Sequence, residues 1–555
     1  MKLTINIDKL KNLIEANLLE FVGTRSDTNS KLEKNIEEFF ENWFNKVEYF
    51  KNNPENCGFF EIPGDYLDRK VPWCLLRGEG KDTIVFIHHH DIVETKDYGV
   101  FEPLCLKPYE LAEAFKNTTI ELPKKMKEDL LSDKWIFGRG VADMKGGGSI
   151  QLSLIEEYSK DENFKGNIVL LSVPDEENLS AGMRAGALKL KELKDKYGLD
   201  YKLMINCEPH ERDDESKPTW YDGSIGKIMP VVYVRGKLTH VGYVYQGLNP
   251  INILSEIIRK TELNPDFLER KGNTTNPAPT WLYHKDRKTV YDVSLPKATC
   301  GYMSILPLEK TPMELMEELK KISIKAFETV VEELNESYKK YTSMAGIEYK
   351  KLNWEPKVKF YAELYKDALR DSGKEFEEAY VKVMAEVKEK FNNNEVSTIE
   401  AANIIIEKTL DYVKDLNPCV VLALTPPYYP STNNMMLGEK SAKVNETIDS
   451  LINYSKSKFN EEIVVQNYYT GISDLSYAMF VSDQKDIDYI ENNMLMWKDV
   501  YYIPLEEIKE VSMPVINIGP WGVDLHKYTE RVYKEDLFYK TPMFVDLFIT
   551  KLLHE

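Results

Sequence analysis

Apolar residues recur at helical spacing in the first fifty positions. Leu10, Leu13, Ile14 and Leu18 mark one helix, and Ile36, Phe39, Phe40 and Trp43 a second. Between them GTRSDTNSKLE offers Asn29 or Ser30 as a cap. Ser30 fits better, because Glu33 then takes the capping-box position. Short apolar runs follow: TIVFI (83–87), NIVLLSV (167–173), KLMIN (202–206) and PVINI (514–518). Each has strand length, and most are rich in β-branched residues. Helical segments separate several of them, including the stretch after Asp143 and residues 182–197. This alternation predicts an α/β domain with a mixed, mostly parallel sheet sandwiched by helices.

The pattern changes near residue 224. IMPVVYVRGKLTH reads as a strand, and NPINILSEIIRKTEL as a helix with proline near its start. VYDVSLPKATCGYMSIL gives more strand. The long run from Thr311 reads as a helix with Thr311 as cap and Glu314 in the capping-box position. EYKKLNWEPKVKFYAEL reads as a further strand. These elements predict an α+β unit at 215–360 inserted into a catalytic domain formed by 1–214 and 361–555. Helices (360–415), a strand CVVLALT, a PPYYP turn and PVINI complete the second part. No internal repeat is present.

The chain has 555 residues, more than one hydrophobic core usually supports, which agrees with two domains. Hydrophobic residues make up 43% and charged residues 29%, ordinary for a soluble globular protein. The net charge of −19 argues against nucleic acid or an anionic membrane as the main partner. Six scattered cysteines form no CxxC pair, so reduced thiols in a cytoplasm are the simplest expectation. The opening MKLTINIDKLKNLIEANLL is charge-interrupted and reads as an amphipathic helix rather than a signal peptide. No run reaches the ~20 apolar residues of a membrane span.

Candidate chemistry collects at strand ends. TIVFI runs into His88-His89-His90-Asp91, NIVLLSV into Pro174-Asp175-Glu176-Glu177, and KLMIN into Cys207-Glu208. PVINI leads to GPWGVDLH, closing on His526, and IFGRGVADMKGG sets Asp143 before a glycine-rich helix entry. In α/β sheets, sites form at the carboxyl ends of strands. Any one of these carboxylates alone reads as a solvated loop residue, and adjacent glutamates at a helix start can simply favour its dipole. A phosphate loop at Gly146–Gly148 is set aside, because GxxxxGK[ST] is absent. The joint occurrence of imidazole and carboxylate at several strand ends is much harder to dismiss. Strand alternation puts His89 and Asp91 on one side and His88 and His90 on the other, without choosing between the sides.

The pieces HHHD, GRGVADMKGG, DEENLSAGMR, NCEP and GPWGVDLHKYTERV, in this order, resemble the co-catalytic zinc exopeptidase superfamily (peptidase clan MH). That superfamily holds aminoacylases, glutamate carboxypeptidases and succinyl-diaminopimelate desuccinylases. The resemblance covers nearly the whole chain. Its length, the PPYYP turn and LHKYTERV look most like the RocB-type arginine-utilisation branch. The resemblance implies a zinc exopeptidase-like catalytic domain with an inserted lid or dimerisation domain. It implies that His89 and Glu208 hold one divalent ion, Glu177 and His526 a second, and that Asp143 bridges them. Zinc suits these N/O ligands, and cobalt or manganese could substitute. Asp91 would fix the ring of His89, and Glu176 would be the general base. GKLTHVGYVYQGLNP resembles the lid motif whose histidine supports the tetrahedral oxyanion, here His240, supplied in such enzymes across a dimer. Asn249 is a candidate for substrate or interface contact.

The function so implied is a cytoplasmic, metal-dependent amidohydrolase. It would cleave a small N-acyl amino acid or peptide with a metal-activated water, in arginine or amino-acid catabolism. An aminopeptidase or dipeptidase is the alternative, and a non-catalytic binding protein on a hydrolase scaffold the second. Retention of all five ligand positions and Glu176 weighs against the last. There are departures from the pattern. His88 replaces the usual glycine, Glu94 the usual proline, and GYMSIL (301–306) lacks the lid's Asp-x-Arg. Residues 98–134 lengthen the gap between the first two motifs and are a candidate cover for the site.

Overall fold

The structure, a computed structural model, describes residues 5–212 and 214–554. An eight-stranded sheet forms the larger layer. Its order is Cys57–Glu61, Lys70–Arg77, Lys165–Val173, Glu79–His89, Asp200–Asn206, Val515–Asn517, Thr219–Tyr221 and Val464–Gln466. Glu79–His89 runs parallel to both neighbours, and Val515–Asn517 runs parallel to Asp200–Asn206. The four apolar runs of the sequence are therefore adjacent strands at the sheet's centre.

Alternate side chains of these strands feed two cores. Ile84, Phe86, Ile168, Leu170 and Ile205 pack with helices Ile7–Gly23, Lys145–Tyr158 and Thr541–Ile549. Val85, Ile87, Val169, Leu171 and Met204 pack with helix Ala181–Tyr197. Each such fully buried aliphatic or aromatic side chain contributes roughly 1.5–3 kcal/mol. The Ser30–Glu33 capping box is present, on a short 3-10 turn ahead of helix Asn35–Lys46.

The smaller sheet has the order Thr280–Asp286, Ala298–Ser304, Pro230–Arg235, Cys419–Leu424 and Val358–Phe360. Helices Pro250–Thr261 and Pro312–Ala345 pack with Val232, Val234, Val420 and Leu422 on one face. Helices Tyr361–Asn392 and Thr398–Leu410 pack with Val231, Tyr233, Val421 and Ala423 on the other. The sequence ended the inserted unit at residue 360, and the pairing of Cys419–Leu424 with Pro230–Arg235 carries this sheet past it. The strand expected over EYKKLNWEPKVKFYAEL is only Val358–Phe360. There the Glu363 carboxylate accepts the Phe360 amide, and a helix begins.

Residues 98–134 form a small module of their own. Helices Pro108–Asn117 and Lys124–Ser132 bury Leu111, Phe115, Met126 and Leu130 against Trp135, Phe137 and Trp521. Strand Trp135–Phe137 pairs with Arg531–Tyr533, so the extension packs beside the segment that carries His526.

Candidate metal centre

Six side chains from five segments converge where the parallel strands end. His89 closes its strand, and Glu208 follows Asp200–Asn206. Glu176 and Glu177 follow Lys165–Val173, and His526 follows Val515–Asn517. Asp143 precedes helix Lys145–Tyr158, and the Asp143–Met144 peptide is cis.

Asp143 is the centre of the cluster. The His89 Nε2 atom lies 3.0 Å from its Oδ1, and the His526 Nε2 atom 3.1 Å from its Oδ2. Glu208 Oε1 is 3.5 Å from His89 Nε2, and Glu177 Oε1 is 2.9 Å from His526 Nε2. Two triads result, His89–Asp143–Glu208 and Asp143–Glu177–His526, sharing the aspartate. A further grouping, His89–Glu176–Glu177, brings Glu176 to the same place.

Other groups fix these side chains. Asp91 Oδ1 lies 3.5 Å from His89 Nδ1, and the Asp91 carbonyl 3.1 Å from it. The Asp91 carboxylate also accepts the amides of Glu176 and Glu177, each at 3.2 Å. Glu530 accepts the amides of Ala142 and Asp143, and Arg139 donates to Glu530 at 2.8 Å. Behind the 175–181 loop, Arg69 donates to Glu33 and Asp175, and Glu33 accepts the Asp175 amide.

The electrostatics are those of a crowded anionic pocket. Burial, then neighbouring charge that includes Asp474, Glu208 and Glu177, lifts Glu176 well above the usual carboxylate range. Burial and the carboxylates of Asp143 and Glu177 do the same to Glu208. Burial pulls the His89 imidazole down, yet Glu208, Asp143 and Asp91 outweigh it and hold the ring protonated. Hydrogen bonds to Asp143 and Glu177 raise His526 to about 10. The raised imidazoles reflect an excess of negative charge that a pair of divalent cations would offset. Two imidazoles and three carboxylates, one of them shared, fit a pair of such ions in type and number.

His88 and His90 lie outside this cluster. His88 Nδ1 pairs with Gln151 Oε1 at 2.8 Å, and its ring stacks on Phe40. His90 Nδ1 pairs with the Ser172 hydroxyl at 2.9 Å. His240 is exposed on the smaller layer, where its Nδ1 accepts the Gly242 amide at 3.0 Å. Asn249 caps helix Pro250–Thr261 by accepting the Ile251 amide. Neither His240 nor Asn249 is among the residues gathered at Asp143. Sequence reasoning missed Glu530, Arg139, Arg69, Glu33 and Asp474. Asp474 is fully buried beside Ser180, and burial pushes it up to about 7. Glu530 and Arg139 lay within the quoted HKYTERV and GRGVADMKGG, Glu33 was marked only as a capping residue, and nothing in residue spacing marked Arg69 or Asp474.

A mixed α/β sheet whose parallel centre presents two metal-type triads that share one aspartate defines a metal-dependent hydrolase class of fold and site. Residues 119–548 match the model of peptidase family M20/M25/M40, and the chain belongs to that family. His89 precedes the matched residues. The chain is 29% identical over 549 residues to the uncharacterized protein YqjN of Bacillus subtilis, covering 98% of this chain and 97% of that one. It is 28% identical over 550 residues to protein RocB of the same organism, covering 97% and 95%. The fold is similar to aminopeptidase PepT from Bacillus cereus, with a TM-score of 0.52 at 14% identity over 98% of both chains. It is also similar to an M20 family metallo-carboxypeptidase from Sulfolobus solfataricus, with a TM-score of 0.51 at 12% identity over 97% and 99%. Among the described residues no helix is long and apolar enough to cross a membrane.

Proposed function

We propose that this metal-dependent hydrolase is an amidohydrolase that removes the acyl group from a small N-acyl amino acid. The observation that carries this reading is the placement of His89 and His526 on opposite oxygens of Asp143, with Glu176 beside them. His89 and Glu208 would hold one ion, Glu177 and His526 the other, and Asp143 both, with zinc the first choice. When bound, two such ions supply Lewis-acid polarisation of the amide carbonyl and of the attacking water. Glu176 takes the water's proton and passes it to the departing amine nitrogen. Asp91 keeps His89 and the Glu176 backbone in register with each other.

His240 is the proposed donor to the tetrahedral oxyanion. Because its Nδ1 accepts the Gly242 amide, the neutral ring carries its proton on Nε2, which is then free to donate outward. The surface around it is apolar and open: Val241 is 48% exposed, Tyr243 62% and Val293 47%. Such a patch supports a homodimer through the smaller domain, with His240 completing the partner's site. We place Asn249 as a further candidate for substrate or interface contact. The similarity to RocB supports an arginine-related substrate, and six free cysteines agree with the cytoplasmic setting proposed here.

The test is metal analysis coupled to a substrate panel. Two divalent ions per chain and hydrolysis of N-acyl amino acids, N-acyl-arginine among them, are the expected results. Hydrolysis confined to dipeptides with free amino termini would replace this reading with a dipeptidase.

A further inference from the structure

A second cavity, of about 850 Å³, lies between the two sheet layers. None of the five metal-type residues lines it. Its walls include Lys227 and Met229, where the chain enters the smaller sheet, and Pro426 and Pro427, where it leaves. These two crossing segments pair with each other: the Lys227 amide donates to Tyr429 and the Thr425 amide to Met229. Asp175, Asn178 and Leu179 form another wall, so the cavity backs directly onto the loop that presents Glu176 and Glu177.

The charges lining this cavity are in positive excess, with Arg69, Arg184, Lys227, Lys388 and Lys498 against Asp65, Asp175 and Asp499. Asp65 and Asp175 are both paired with Arg69, at 2.7 and 2.9 Å. Asp499 is exposed. Arg184 lies over the Tyr501 ring at 4.3 Å and donates to the carbonyls of Leu179 and Tyr502, with no carboxylate partner among the described residues. Lys227 is half-buried, and burial lowers its pKa with no acidic neighbour to offset the effect. A desolvated ammonium without a counter-ion is costly, and a cavity beside it invites an anion. Ile62, Leu188, Met229 and Val500 add apolar wall, and Tyr66 and Tyr302 add aromatic wall.

We propose that this interdomain cavity is a second ligand site, distinct from the metal centre. It takes a small organic anion, a carboxylate or sulfonate on an apolar or aromatic body, with Lys227 as its countercharge. Occupancy is transmitted to Glu176 and Glu177 through Asp175, whose carboxylate and amide are fixed by Arg69 and Glu33. The transmission rests on the metal-centre reading, whereas the binding does not.

The probe is 1-anilinonaphthalene-8-sulfonate, an aromatic sulfonate that fluoresces in apolar sites, titrated into the full-length protein loaded with Co2+. One saturable site per chain is expected. Its Kd should rise at least about tenfold in Lys227→Met, which removes the charge. It should rise similarly in Leu188→Trp, which fills the cavity and leaves Lys227 in place. Two variants acting by different means keep the test decisive if one does not fold. Equal Kd values in the wild-type protein and the folded variants place the dye elsewhere and overturn the proposal. Saturating dye should also change the Co2+ absorption spectrum, and an unchanged spectrum overturns the coupling. A protein that binds the dye at Lys227 but no Co2+ refutes the metal-centre reading and leaves the cavity assignment standing.

Discussion

Glu530 accepts the backbone amide of Asp143 at 3.2 Å, so the shared aspartate is held from behind as well as from the front. The same carboxylate accepts the Ala142 amide and the Arg139 guanidinium, both fully inside the protein. Groups that hold a ligand in place commonly contribute 10–100-fold to metal affinity. Glu530→Ala should therefore weaken divalent-ion binding about 10–100-fold in a chelator competition, although Glu530 touches no ion. Unchanged affinity would show that the 139–144 turn keeps its shape unaided.

Glu176 belongs to the His89–Glu176–Glu177 grouping but to neither triad that contains Asp143. Glu176→Gln should therefore keep both ions by elemental analysis. Turnover should fall on the order of 10²–10⁴-fold, the usual contribution of a positioned acid/base. Loss of one ion along with turnover would make Glu176 a ligand instead.

That imidazole and carboxylate gather at these strand ends was legible because strand ends announce themselves in hydropathy, whereas which of them would hold an ion came from the family resemblance. His89, Asp143, Glu177, Glu208 and His526 each follow an apolar run or open a glycine-rich helix entry. The groups behind them carry no such mark. Arg69 and Glu33 lie 106 and 142 positions from Asp175, and only the folded chain brings them together. The short strands Thr219–Tyr221 and Val464–Gln466 were invisible because three residues show no periodicity. The extent of the smaller sheet was obscured for another reason. Cys419–Leu424 reads as a buried strand in any sheet, and its partner Pro230–Arg235 lies far back in the chain.

His88 gives a pH dependence whose sign can be worked out. Burial lowers its pKa to about 4, so the unfolded chain binds the proton more readily than the folded one. Its contribution to stability is complete above the unfolded value near 6.5 and is lost as pH falls through 4. The full span is about 3 kcal/mol for this completely buried ring. Denaturant titrations of His88→Phe should show a shallower fall in stability between pH 6.5 and 4 than the wild-type protein. Parallel slopes would mean that the acid sensitivity comes from other groups, with the buried His90 and His210 the first to test.

Arg69 is the single cation among three buried carboxylates, Glu33, Asp65 and Asp175. Burial and nearby Asp91 push Glu33 up to about 9 despite the guanidinium, and so favour its neutral form. Removing one partner of a buried ion cluster typically costs about 3–5 kcal/mol, because the remaining charge stays desolvated. Arg69→Met should fall in that range by denaturant unfolding, since it strands Asp65 and Asp175. Glu33→Gln should cost less, because its single amide oxygen still accepts from Arg69, although the Asp175 amide then loses its acceptor. If the two substitutions cost the same, Glu33 is ionised in the fold, and the loop that presents Glu176 is held by two full ion pairs rather than by one and a neutral acceptor.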